Sequence, residues 1–167
     1  SMFQVGEMAV YGTHGVCQVT DIQERIVDKA TRRYLVLKPV GRSGSQYLVP
    51  MENEAAMSKL CPLACREELE RLLTAPEIRV SNWIPEENKR KQFYRTLSGA
   101  SRECLFQTVC TLYSHRASQK SQGKRLHMCD ENFLRDAEKM LSGELEVVLG
   151  LTGPEALHCL RSSLGKL

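Results

Sequence analysis

The chain has 167 residues, 42% of them apolar, and a formal net charge of +3 at pH 7. This apolar content is that of an ordinary globular protein and argues against a largely disordered chain. No apolar run approaches the roughly 20 residues of a membrane-spanning helix, and no secretory signal segment opens the sequence. We therefore expect a cytoplasmic protein with no membrane partner.

The positive charge is concentrated in one segment of the chain. Residues 79–125 carry ten Lys or Arg and three Asp or Glu, whereas residues 1–78 and 126–167 are each net negative. A local concentration of cations favours a nucleic acid partner more strongly than a small overall charge does.

The beginning of the chain predicts short β-strands, because apolar side chains recur at nearly alternate positions. The candidate strands span residues 3–11, 16–22, 33–40 and 46–50. Turn residues at Gly12–Gly15 and Gly41–Gly44 separate them. Short strands joined by tight turns indicate a small antiparallel β-barrel of the SH3 or Tudor type, which we assign to residues 1–60.

After Pro50 the spacing of apolar residues changes to a helical period. Helical segments are predicted over residues 52–57, 65–73, 89–97, 102–116, 130–149 and from 152 onwards. Asp130 is a candidate N-cap, residues 77–82 are a candidate junction, and the polar run 118–125 is expected to be a loop. Residues 61–167 are therefore expected to form an all-α domain of about five helices, which gives an α+β protein.

The sequence offers no assembled catalytic site. Seven scattered cysteines are typical of reduced, apolar-type thiols, and none of the common phosphate-binding, zinc-hydrolase or serine-hydrolase motifs occurs. His14 and Cys17 bring a base near a thiol, but their offset places them on opposite faces of a strand. We expect no catalytic residue, metal, cofactor or small-molecule substrate; an enzyme that uses one cysteine is the weakest of three hypotheses.

The only tryptophan, Trp83, stands just before a predicted helix and a cluster of cations. Pro85 suits the first turn of a helix, and Glu86 and Glu87 complement the positive end of its dipole. A large ring beside cations can meet a nucleic acid both at the phosphates and at a base step. The alternative, that Trp83 anchors the core and the cations form a solvated face, stays open.

The order of these landmarks resembles that of the CarD family of bacterial transcription regulators. Residues 3–16 look like the family's opening, which runs from an aromatic residue through "VGD-VVY" to "HGV". Residues 33–37 and 48–50 look like its later strands, and Asn82–Trp83 and residues 141–145 match landmarks of its helical half.

This resemblance implies a protein that bridges two partners. The barrel would bind the β subunit of RNA polymerase, and the helical domain would bind promoter DNA at the upstream edge of the melted bubble, in the minor groove and along the backbone. Trp83 would be the wedge that stabilises the open complex, largely without reading sequence. The implied phosphate contacts are Lys89, Arg90, Lys91 and Arg95, with Lys124 and Arg125 as weaker candidates.

The polymerase-binding surface is predicted at an edge strand, because such a strand can recruit a strand from a partner. The candidate residues are Arg25, Gln46, Tyr47, Leu48 and Val49. Tyr47 and Val49 could equally be barrel core, since alternate side chains of a strand face inward. For the whole chain, the runner-up is a protein-interaction adaptor that does not bind DNA and whose basic helical half is only a scaffold.

Overall fold

The structure is a computed structural model that describes residues 3–41, 44–74, 81–97 and 100–165. The chain divides into two compact units, Ser1–Leu63 and Ala64–Leu167. The first unit is an antiparallel sheet and the second is helical, so the predicted α+β class is confirmed. The predicted junction at 77–82 falls mainly on residues outside the described ranges.

The first unit is a five-stranded antiparallel sheet with the strand order β4–β3–β2–β1–β5. The strands are β1 (Met8–Tyr11), β2 (Val16–Val27), β3 (Ala30–Pro39), β4 (Tyr47–Pro50) and β5 (Leu60–Pro62). One short helix, α1 (Glu54–Met57), begins after Asn53, whose side chain accepts a hydrogen bond from the Ala56 backbone N–H. This arrangement is consistent with the predicted small barrel.

The core of the first unit lies on one face of the sheet. Cys17, Val19, Leu35 and Leu37 have no exposed surface, and they pack with Phe3 from the segment before β1. These side chains recur at every second position of β2 and β3, as alternation on a half-buried strand requires.

β2 and β3 extend five and three residues further into their hairpin than the sequence predicted, and β1 and β5 differ more. β1 begins only at Met8, because a turn at Gly6, with a φ of 96°, interrupts the expected run from Phe3. β5 was not predicted as a separate strand and ends the first unit slightly beyond the expected boundary at residue 60. Three residues are too few to show an alternation of apolar and polar side chains in the sequence. The strand is recognised only from its pairing with β1 in the structure.

The second unit contains five helices among its described residues, in agreement with the predicted number. They are α2 (Arg66–Thr74), α3 (Glu87–Thr96), α4 (Arg102–Ser121), α5 (Met128–Leu149) and α6 (Gly153–Gly165). Leucines of α2, α5 and α6 pack with Phe106 and Val109 of α4 in one apolar core. Within the described part of the chain, no helix is both long and apolar enough to cross a membrane.

Helix α5 carries three buried carboxylates, and each of them pairs with an arginine from a different helix. The pairs are Arg90–Asp130 at 2.9 Å, Arg102–Glu144 at 2.7 Å and Arg161–Glu138 at 2.8 Å. Asp130 is therefore not the N-cap that the sequence predicted: α5 begins two residues earlier, after His127, and the carboxylate binds Arg90 instead. Similarly, α4 continues to Ser121 and takes up part of the predicted loop.

Asp28 and Lys29 form the two-residue loop of the β2–β3 hairpin, with φ angles of 51° and 66°. Positive φ angles at both loop residues define the type I′ turn, which favours glycine at the second position. We expect Lys29→Gly to stabilise the hairpin by about 1 kcal/mol, because a side chain in the left-handed region costs about that much. Slower hydrogen exchange of amides flanking the loop would measure the gain.

The control is Lys29→Ala, which removes the same charge but keeps a Cβ atom. Equal exchange rates in the two variants would contradict the prediction, since the effect would then come from the lysine side chain and not from the backbone conformation.

Candidate functional sites

Arg90 lies in α3 but is buried, with 4% of its surface exposed. Its Nε and Nη2 atoms donate to the two carboxylate oxygens of Asp130, both at 2.9 Å. Its Nη1 atom donates to the backbone oxygens of Ile84 and Pro85 at 3.0 Å. One side chain therefore fixes α3 on α5 and also holds the segment that carries Trp83.

Tyr94, one turn after Arg90, completes this buried network. Its hydroxyl donates to Asp130, and its ring stacks on Phe133 with centroids 4.3 Å apart. Burial raises the pKa of Tyr94, so the hydroxyl stays protonated as a donor. Burial alone would also raise the pKa of Asp130, but the hydrogen bonds from Arg90 and Tyr94 outweigh it and hold that pKa below its usual value. Asp130 is therefore an anion at neutral pH.

Trp83 is half-buried and packs against the helical core. Its ring stacks on His115 with centroids 3.6 Å apart and an interplanar angle of 9°, and Cζ of Arg90 lies 4.7 Å from the ring centroid. Burial, then the charge of Arg90, lowers the pKa of His115, so the stacked imidazole is neutral at pH 7. The ring is thus oriented by its neighbours while part of it stays accessible.

His115 is a site residue that the sequence did not reveal, because nothing in its local pattern distinguishes it. Residue 115 lies in the middle of α4, far along the chain from Trp83. No spacing rule connects positions so distant in sequence, and only the packing of the segment before α3 against α4 brings the two rings together.

The remaining predicted cations of α3 are exposed: Lys89, Lys91 and Arg95. Lys91 and Arg95 are one helical turn apart and share a face, whereas Lys89 pairs with Glu86 at 3.6 Å. Arg90 is not part of this exposed set, because its guanidinium bonds are directed into the protein. The structure therefore favours a structural role for Arg90 over the predicted phosphate contact.

Lys124 and Arg125 are exposed in the loop between α4 and α5. That loop ends at His127, whose Nδ1 atom lies 3.3 Å from Nη2 of Arg90 and 3.4 Å from a carboxylate oxygen of Glu87. The loop therefore comes to the first turns of α3, which places these two cations at the same end of the unit as the cations of that helix.

In the first unit, β4 is an edge strand of the sheet. The Met51 backbone N–H donates to the Arg33 carbonyl at 2.9 Å, so residues 33 and 51 are a hydrogen-bonded pair. Hydrogen-bonded pairs alternate along an antiparallel ladder. The main-chain groups of Tyr47 and Val49 therefore face β3, and those of Leu48 face the open edge.

The predicted polymerase-binding residues separate into two groups. Val49 is fully buried and Tyr47 is half-buried, with its ring centroid 4.3 Å from that of His14, so these two side chains face inward. Leu48 is exposed on β4, and Gln46, the residue before that strand, is exposed as well. Arg25 is also exposed, but it lies on β2, which β3 separates from β4.

The pair His14 and Cys17 does not form a base and nucleophile arrangement. The ring of His14 stacks on Tyr11, whereas the thiol of Cys17 is directed to the Gly15 carbonyl at 3.7 Å. Burial raises the pKa of Cys17 to about 11, so the reactive thiolate is scarce at neutral pH. Among the described residues, no group of three or more His, Cys, Asp or Glu side chains is placed to hold a metal ion.

We expect Arg90→Ala to destabilise the helical unit by about 3–5 kcal/mol, because it leaves the Asp130 carboxylate buried without its partner. Chemical denaturation followed by the fluorescence of Trp83, the only tryptophan, reports on this unit. The matched control is Lys91→Ala on the same helix, which should change the free energy of unfolding by no more than about 0.5 kcal/mol. Similar losses in the two variants would contradict a structural role for Arg90.

Comparison with known proteins agrees with the arrangement of the first unit. No curated protein matches the chain. Residues 3–61 match the model of the family described as the CarD-like/TRCF RID domain. The matched range runs from Phe3 in the first core to β5, and so takes in the whole sheet up to its last strand. The first unit of this chain is therefore a CarD-like RNA polymerase-interacting domain.

Proposed function

We propose that the chain is a bacterial transcription regulator that binds the polymerase β subunit through its first unit and promoter DNA through its helical unit. It stabilises the open complex at the upstream edge of the melted bubble, without a catalytic step and largely without reading sequence. It acts in the cytoplasm, where the polymerase works. The observation that carries the proposal is a polymerase-interacting domain on the same chain as a half-buried tryptophan with exposed cations beside it.

The edge of β4 supports strand pairing as the mode of polymerase binding. Leu48 has its N–H and C=O at the open edge, and 39% of its surface is exposed. Pro50, the next residue with the same orientation, has no N–H to donate. Leu48 would therefore supply the N–H group that β4 donates to the backbone of a partner strand.

Replacement of Leu48 by proline tests this mode directly. Leu48→Pro removes the outward N–H and leaves the hydrogen bonds of Tyr47 and Val49 to β3 intact. We expect affinity for the isolated lobe of the β subunit to fall about five- to hundredfold, the effect of an unpaired group in a buried strand interface.

Leu48→Ala is the control for the side chain, because it keeps the N–H. If alanine weakens binding as much as proline does, the partner recognises the leucine side chain and strand pairing is wrong. Titration calorimetry with the full chain gives both affinities under the same conditions.

The basic face of α3 supports backbone contacts to DNA. Lys91 and Arg95 are exposed, one turn apart, and on a helix that Arg90 and Tyr94 attach firmly to α5. Cations on a rigid helix can follow consecutive phosphates, and such contacts carry no sequence information. Trp83 stands at the entrance of the same helix, where a ring can meet an unstacked base step.

We expect the double variant Lys91→Ala/Arg95→Ala to weaken DNA binding and to reduce the slope of log affinity against log salt by about two, since each phosphate contact contributes about one. The control is Lys38→Ala/Lys59→Ala, which removes two exposed lysines from the first unit. A binding curve for wild-type chain that does not respond to salt would contradict phosphate contacts and favour the adaptor function.

A further inference from the structure

A surface cavity of about 320 Å³ lies in the helical unit, between the segment Ser81–Ile84, α3 and α4. Trp83, Phe93 and Tyr94 are among the side chains that line it. The volume is at the lower end of the range for ligand sites, which suits one flat ring and not an extended ligand. Phe93 is the most accessible of these walls, with 39% of its surface exposed.

Two side-chain amides line the same cavity, those of Asn82 and Gln107. Neither amide has a hydrogen-bond partner among the residues that the structure describes. The hydroxyls of Thr108 and Thr111, which also line it, donate to the carbonyls of Cys104 and Gln107 at 2.8 Å. The free polar groups at the cavity therefore include two side-chain amides, and an amide can both donate to and accept from the edge of any of the four bases.

A cation stands beside this opening. Lys89 is exposed and lies one helical turn before Phe93, so the two side chains share a face of α3. The ion pair of Lys89 with Glu86, at 3.6 Å, is exposed to solvent on both sides and is therefore weak enough for a phosphate to replace. A nucleobase arrives attached to phosphates, and an ammonium group on the same helix face can bind one of them. An aromatic wall, free amides and a flanking cation together are the chemistry by which proteins bind single-stranded nucleic acid.

We propose that this cavity takes one unpaired nucleobase at the edge of a duplex, with Phe93 stacking on the base and Gln107 bonding to its edge. The inference rests on the proposed DNA-binding function and adds a position for a single base to it. Trp83, which His115 and Arg90 hold in place, forms a fixed wall of the cavity. Because an amide serves every base, the site is consistent with binding that does not read sequence.

The test is equilibrium binding of the full chain to a duplex with a short unpaired bubble. A single abasic site replaces each unpaired position next to the duplex edge in turn, so the protein itself is unchanged. We expect one position at which the missing base weakens binding about five- to hundredfold, the usual effect of one base stacked on an aromatic side chain.

Protein variants then assign that position to the cavity. In Phe93→Ala and in Gln107→Ala the same abasic site should have a smaller effect, and Phe93→Tyr, which keeps the ring, should restore it. Gln119→Ala, the same change elsewhere on α4, is the control and should behave as the wild-type chain does.

The outcomes separate the two levels of the proposal. One sensitive position that loses its sensitivity in Phe93→Ala supports the base site. Binding to the bubble that no abasic site changes overturns the base site and leaves the proposed DNA binding standing. Absence of binding to any of these DNAs overturns the proposed DNA binding, and the base site with it.

Discussion

The helical unit depends on three carboxylates that α5 buries and that three arginines neutralise, one each from α3, α4 and α6. An apolar core of the same size would be about as stable, so these pairs are not explained by stability alone. The three ion pairs instead determine how the helices are arranged around α5. A helix docked in the wrong place would leave a buried anion without its cation, and each arginine therefore selects one position along α5.

The candidate DNA surface follows from one of these pairs. Because Arg90 is used inside the protein, its bonds to Ile84 and Pro85 fix the chain just before α3, and its cation lies against Trp83. The neighbours of Arg90 on the outer side of the helix keep their charges in solvent. A single buried cation thus positions the ring and the exposed cations together, which gives the site a defined geometry before any ligand arrives.

Much of the fold could be predicted from local pattern. Alternation located β2, β3 and β4, and the helical period located α2 to α6 with errors at their ends.

The site was less predictable, because its geometry depends on distant residues. Lys89, Arg90 and Lys91 look alike in the sequence, and only Asp130, forty positions later, distinguishes the middle one. One local feature does distinguish Arg90: it lies one turn before Tyr94, so the two share a face of the helix. Because a tyrosine is more often buried than a lysine, that face was the better candidate for packing against the protein. Nothing local indicated that His115 covers Trp83 or that residues 60–62 form a strand.

The edge of β4 also limits how the first unit can associate with copies of itself. An open strand with many free N–H groups is a template on which further strands add, which leads to aggregation. Here the alternation of the ladder and the proline at the end of β4 leave Leu48 as the residue of that strand with both groups free at the edge. The four residues of β4 can therefore pair with one partner strand in one register. They offer too few free backbone groups to promote the repeated addition of strands that leads to aggregation.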